Sequence, residues 1–248
     1  MATMTQDELV AQLRAAYGDG LRAVVLYGSA ARAQPGTAAG TRDVLVVVDR
    51  LGMDELRRVA PTVRAWREAG HPPPLTLTTR EWASSADVFP MEYADLLDGH
   101  QVLHGSLPTD GVRVDPADLR RQVEAQVLGK LLQLRAGILA AGNDAGRQLA
   151  LVEASRGTMF VLFRALARLH GQRPAADPVA LARWAGGVAN FDAAPFVRVV
   201  GHAAGTARLA AGDAAGVLAG ELAALERVVA HVDALSAASS SAGPQAGA

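Results

Sequence analysis

Two short apolar runs, "LRAVVLY" at 21–27 and "DVLVVVD" at 43–49, constrain this chain more than any other feature. Both are rich in β-branched residues and continuously apolar rather than alternating. Runs of that length and pattern are expected of strands buried on both faces. Between them the chain breaks into Gly28-Ser29 and reopens behind a single acid, Asp43.

The neighbouring segments predict helices around such a sheet. Thr5 followed by Glu8 forms a capping-box pattern, and Leu9, Val10, Leu13 and Tyr17 share one helical face, so a first helix is expected to about Gly18. Met53 to Ala69 has helical spacing interrupted by Pro61, which is expected to kink or split that helix. "PLTLTT" (74–79) predicts a third strand, and Thr79 a cap for a short helix through Trp82. Pro90 suits the first turn of another helix, and "QVLHG" (101–105) an edge strand.

From Asp115-Pro116 onward the period is helical throughout. Leu119, Val123, Val127, Leu131, Leu134 and Ile138 make one stripe, and Leu149, Val152, Met159, Phe160, Phe163, Leu166 and Leu169 make the next. The expected organisation is an α/β (α+β) domain over 1–110, with a small mixed sheet and helices, then an all-α helical bundle over 111–236. The small polar residues of 237–248 are expected to be disordered.

Composition excludes several chemistries. There is no cysteine, so disulfides, thiolate metal sites and a cysteine nucleophile are ruled out. Lys+Arg 24 against Asp+Glu 25 gives a net charge of −1, which argues against a chain held on nucleic acid by phosphate electrostatics. The start, "MATMTQDELV", has neither a basic region nor an apolar core, and no run approaches the roughly 18 apolar residues of a membrane span. The expectation is a soluble, cytoplasmic protein with no membrane partner.

A Gly-Ser turn directly after a strand and at the mouth of a helix presents backbone N–H groups and a hydroxyl to an anion, an arrangement that cradles phosphate. Carboxylates two apart on the following strand project on one face. Such a pair can hold two divalent metals about 3.5–4 Å apart for phosphoryl chemistry. Gly28-Ser29, thirteen intervening residues and then Asp43-Val44-Leu45-Val46 resemble the signature of the DNA polymerase beta-like nucleotidyltransferase superfamily. That signature is Gly-Ser (or Gly-Gly), a spacer, an acid, a hydrophobic residue and a second acid.

The departure from that pattern is Leu45, which stands at the second acid. In the alternative register Asp43 is the second acid and Thr41 replaces the first. Both registers leave one carboxylate. A third acid is usual on the neighbouring strand, where this chain offers Thr76 and Thr78. Asp49 is too far along its strand to substitute, about 20 Å from Asp43 at some 3.3 Å per residue. The segment from "PPPLTLTTREWASSADVFPMEYADLLDGHQVLHG" through "LRRQVEAQVLGKLLQLR" resembles a bacterial group of these proteins with a C-terminal helical domain, in which the acidic motif is commonly reduced.

The resemblance implies a nucleoside triphosphate on Gly28 and Ser29. Arg32, four residues past Gly28, Thr41, at the mouth of the second strand, and the sole lysine, Lys130, which on the apolar side of its helix must reach solvent, an acid or a phosphate, are further candidate nucleotide contacts. It implies Asp43 as the catalytic residue and the ligand of Mg²⁺. Glu92 and Asp95 are candidates for a displaced carboxylate. Acceptors in this superfamily include antibiotics, proteins and RNA, and nothing in the chain selects among them. Three functions are therefore carried forward: a nucleotide-binding protein with weakened or lost transfer, an active nucleotidyltransferase, and a non-enzymatic interaction module such as an antitoxin-like partner.

Overall fold

The computed structural model describes residues 4–32 and 41–241, with the backbone alone for Ser29, Arg32 and 236–241. The chain divides into two compact units, Met1–Asp115 and Pro116–Ala248. Among the described residues no helix is long and apolar enough to cross a membrane.

The first unit is built on a four-stranded mixed sheet in the order β3-β2-β1-β4, from β1 (Leu21–Tyr27), β2 (Asp43–Val48), β3 (Leu75–Thr78) and β4 (Gln101–Gly105). β1 runs antiparallel to both β2 and β4, and β2 pairs with β3 in parallel. Because successive side chains alternate across a sheet, the continuous apolar runs fill both faces. Val24, Leu26, Val44, Val46 and Val48 pack on one side with Leu9 and Leu13 of α1 (Gln6–Tyr17) and Val59 and Trp66 of α3 (Met53–Glu68). Ala23, Val25, Leu45 and Val47 pack on the other with Trp82 of α4 (Thr79–Ser84) and Tyr93 and Leu96 of α5 (Pro90–Asp98). Each large side chain so buried contributes about 1.5–3 kcal/mol.

Polar contacts fix the helices on these faces. The Arg58 guanidinium on α3 donates to the Ala16 carbonyl at 2.8 Å, tying α3 to α1. Trp82 Nε1 donates to the Pro108 carbonyl at 2.6 Å, the Tyr93 hydroxyl donates to the Trp82 carbonyl at 2.8 Å, and the two rings stack at 4.4 Å.

Thr5 and Glu8 form the expected capping box. The cap of α4, by contrast, is Thr78 rather than Thr79: the Thr78 hydroxyl accepts from Glu81 N, and Glu81 answers to the Thr78 backbone. Cap and reciprocal acid must stand three residues apart, a spacing Thr79 lacks. Pro61 does not split α3, which runs unbroken from Met53 to Glu68; the proline is on the exposed side, where solvent can satisfy the carbonyl it orphans.

The second unit is helical: α6 (Pro116–Ala141), α7 (Ala145–Leu169), α8 (Pro178–Ala189), α9 (Ala194–Ala203) and α10 (Ala214–Ser241). α6 buries Leu119, Val123, Val127, Leu131 and Leu134, and α7 buries Val152, Met159, Phe160, Leu162, Phe163 and Leu166. Phe163 stacks with Phe191 and meets Phe160 and Phe196 edge-on. α10 continues past 236 through Ser241, so 237–241 is helical where disorder was expected; alanine there favours continuation. Residues 242–248 lie outside the described residues.

Candidate functional site

β1 delivers the backbone to Tyr27, and the turn that follows needs a residue without a side chain. Gly28 stands at φ 71°, in the left-handed region, and opens the short helix α2 (Gly28–Arg32). β2 returns antiparallel and pairs Asp43 with Tyr27. The Asp43 carboxylate thereby lies over Gly28: a methyl group built on that glycine would stand 2.9 Å from Asp43 Oδ2. The positive φ favours glycine here, and a larger residue would also have to displace the Asp43 carboxylate.

Alternation decides what shares a face with Asp43. Leu45 and Val47 follow it into the cluster beneath α4 and α5, and Tyr27 packs against the same cluster. Burial is the main cause that pushes the Tyr27 phenol up to about 12, followed by the charges of Asp43, Glu92 and Asp95 in that order. Glu92 and Asp95 are one turn apart on α5, so three carboxylates act on one hydroxyl from two elements.

The same alternation explains the missing second acid. Leu45 is 0% exposed, packed among Trp82, Tyr93 and Leu96, where a carboxylate would lose its hydration. On β3, Thr76 and Thr78 pair with Val46 and Val48 and so belong to the α1/α3 side; the residues paired with Leu45 and Val47 are Leu75 and Leu77. Neither β2 nor β3 adds an acid on the Asp43 face. Among the described residues no three His, Asp or Glu side chains are grouped to hold a metal ion. Among the described residues, β2 and β3 therefore offer Asp43 no partner carboxylate for a metal pair.

The entry to β2 is held from the side by His71. Its Nδ1 accepts from Arg42 N at 3.4 Å, and its ring packs on Trp66 with centroids 4.1 Å apart. Burial, then the charge of Arg42, lowers the His71 pKa, which favours the neutral acceptor this contact requires. Asp49, just beyond the far end of β2, is clamped by Arg22: Nε donates to Oδ1 at 2.6 Å and Nη2 to Oδ2 at 2.5 Å.

Of the other residues expected at the site, Thr41 is exposed and precedes β2. Ser29 and Arg32 have their backbone in α2, and their side chains lie outside the described residues. Lys130 belongs to α6 of the helical unit, beside the buried stripe, and its Nζ donates to Gln133 Oε1 at 2.7 Å. Tyr27 went unnoticed in the sequence, although an aromatic residue closing an apolar run directly before Gly28 was the available signal.

No protein-family model matches the chain, and no curated protein sequence matches it. In three dimensions it is similar to the crystal structure of spectinomycin adenyltransferase AAD(9) from Enterococcus faecialis with ATP and spectinomycin. The TM-score is 0.53 at 11% identity, over 92% of this chain and 100% of that one. The shared architecture is a nucleotidyltransferase-like fold: a small mixed four-stranded sheet with helices, followed by a helical region.

Proposed function

We propose that this chain is a nucleotide-binding protein of the nucleotidyltransferase superfamily whose transfer activity is weakened or lost. The observation that carries the reading is Leu45, fully buried at the position where the second carboxylate would stand. Nucleotidyl transfer builds negative charge on the α-phosphate as pyrophosphate leaves, and stabilising that charge is usually the largest catalytic contribution. Mg²⁺ enters here only as the counter-ion of the triphosphate, with Asp43 as its protein carboxylate. Gly28 and Ser29 receive the phosphates, with Arg32 and Thr41 as further candidate contacts.

ATP is the first nucleotide to test, because the similar adenyltransferase structure contains it. Calorimetric titration with ATP and Mg²⁺ is expected to show binding, and α-labelled ATP incubated with cell extract no transferred label. Label transfer abolished by Asp43→Ala would overturn the loss of activity. Absence of binding by any nucleoside triphosphate would reject nucleotide recognition and favour the interaction module.

A second reading, an active transferase, draws on Glu92 and Asp95 acting with Asp43 on Tyr27. It requires that Glu92→Gln or Asp95→Asn abolish transfer while ATP binding persists; transfer unaffected by both substitutions sinks it.

A further inference from the structure

α10 carries one acid into the interior of the helical unit. Glu221 is 0% exposed, and the residues one turn away on either side, Val217, Leu218, Ala224 and Leu225, are buried and apolar. Its Oε2 is 2.8 Å from Ser155 Oγ of α7, and its Oε1 has no hydrogen-bond partner among the described residues. Ser155 Oγ also lies 2.9 Å from the Val152 carbonyl, one turn back on α7.

A hydroxyl has one hydrogen to donate, and a carbonyl can only accept. If Ser155 donates to Val152, the contact to Glu221 is completed only by a protonated carboxyl donating to Ser155 Oγ. If Glu221 is ionised, the hydroxyl must turn to donate to it and give up Val152. The two protonation states therefore require two hydrogen-bond patterns. Only the first leaves the interior without a net charge.

Among the described residues, the influences on Glu221 are burial and the Ser155 hydrogen bond, with no cation among them. One turn from Ser155 on α7 stand Leu151, Val152, Thr158 and Met159. Arg135 of α6 pairs with Glu226, Arg198 of α9 with Asp213, and His202 of α9 with Glu153. His231 of α10 is 2.8 Å from His170, Nε2 to Nε2. Arg156 of α7, Arg183 of α8 and Arg227 of α10 are exposed.

We propose that Glu221 is a proton-controlled lock between α7 and α10, firm while the acid is neutral and loosened when it ionises, because the ionised form keeps the Ser155 contact but takes the hydroxyl from Val152 and leaves a charge in the apolar interior. Burial is the larger influence on Glu221 and raises it from 4.5 to about 7, while the Ser155 hydrogen bond opposes the rise. The folded chain thus keeps a proton that the unfolded chain releases at lower pH. The stabilisation is complete below about 4.5 and is lost as pH rises through about 7, a window that includes neutrality.

The test is thermal unfolding of the full chain from pH 4.5 to 8.5, followed by helical circular dichroism, with Glu221→Gln beside the unsubstituted protein. Glutamine keeps the shape, stays neutral and can still donate to Ser155. The unsubstituted midpoint is expected to fall relative to that of Glu221→Gln by about 4 °C or more across the window. Parallel profiles overturn the lock. Carbon-13 NMR titration of the glutamate carboxyls needs no folded Gln variant: one carboxyl is expected to titrate near pH 7, and higher still in Ser155→Ala. Every glutamate titrating near the ordinary value of about 4.3 overturns the proposal equally.

Discussion

The two ends of β2 both carry an aspartate, and the surroundings of the two differ. Asp49 meets a guanidinium squarely, with both oxygens engaged by Arg22, and that pairing holds its carboxyl below the ordinary range. Asp43 lies over a glycine and beside a neutral phenol on which two further carboxylates act. An acid answered by a bidentate arginine is committed to the architecture. Under the proposed function, Asp43 is instead the acid that meets the counter-ion of a bound triphosphate.

The largest expected effect comes from giving β2 the acid it lacks. Leu45→Asp puts a charge into the cluster of Trp82, Tyr93 and Leu96 and should cost about 3 kcal/mol or more, read as a lower denaturant midpoint. Unchanged stability together with new label transfer would break the comparison, since the position would then be part of the site rather than of the core. Gly28→Val comes next: strain at φ 71° and the approach to Asp43 should cost about 1–3 kcal/mol. It should also weaken ATP binding in calorimetry by about tenfold or more, equivalent to some 1.4 kcal/mol.

Asp43→Asn against Asp49→Asn is the direct contrast, with a smaller effect. The first should lower ATP–Mg²⁺ affinity several-fold at unchanged stability. The second should leave affinity alone and remove a modest stabilisation that fades as salt is added, because the Arg22 pair is at the surface. Equal losses of affinity would erase the distinction between the two ends. The smallest effect is spectroscopic. The Tyr27 phenolate should appear in the ultraviolet near pH 12, and earlier in Asp43→Asn. Since the folded value lies above the ordinary 10, the associated stabilisation is intact below pH 10 and lost as pH rises through about 12.

Much of the first unit was legible because its signals are local. The apolar runs announced strands buried on both sides, and Thr5 with Glu8 announced a helix start. The pairing of Gly28 with Asp43 was legible as a motif, but the contact between them is a product of register, which the motif does not encode. Tyr27 and the carboxylates of α5 were not legible as neighbours, because the helix reaches the sheet through packing of Tyr93 and Leu96 across a long sequence separation. Lys130 drew notice as the sole lysine of an arginine-rich chain, yet its observed partner is Gln133, a neighbour on its own helix. Glu221 escaped notice for the opposite reason: an acid inside an alanine- and leucine-rich helix looks like surface until the facing helix is in place.

The antiparallel ladder joining Tyr27 to Asp43 has a consequence for how relatives of this chain are to be found. Tyr27 and Asp43, and with them Gly28, are neighbours through β1 and β2, not through the length of chain that connects them. Evolution can therefore lengthen or shorten that connection while the glycine and the acid stay face to face. A search that scores fixed spacing will penalise such relatives; one that aligns the ladder first, and asks only afterwards how many residues lie between, will recover them.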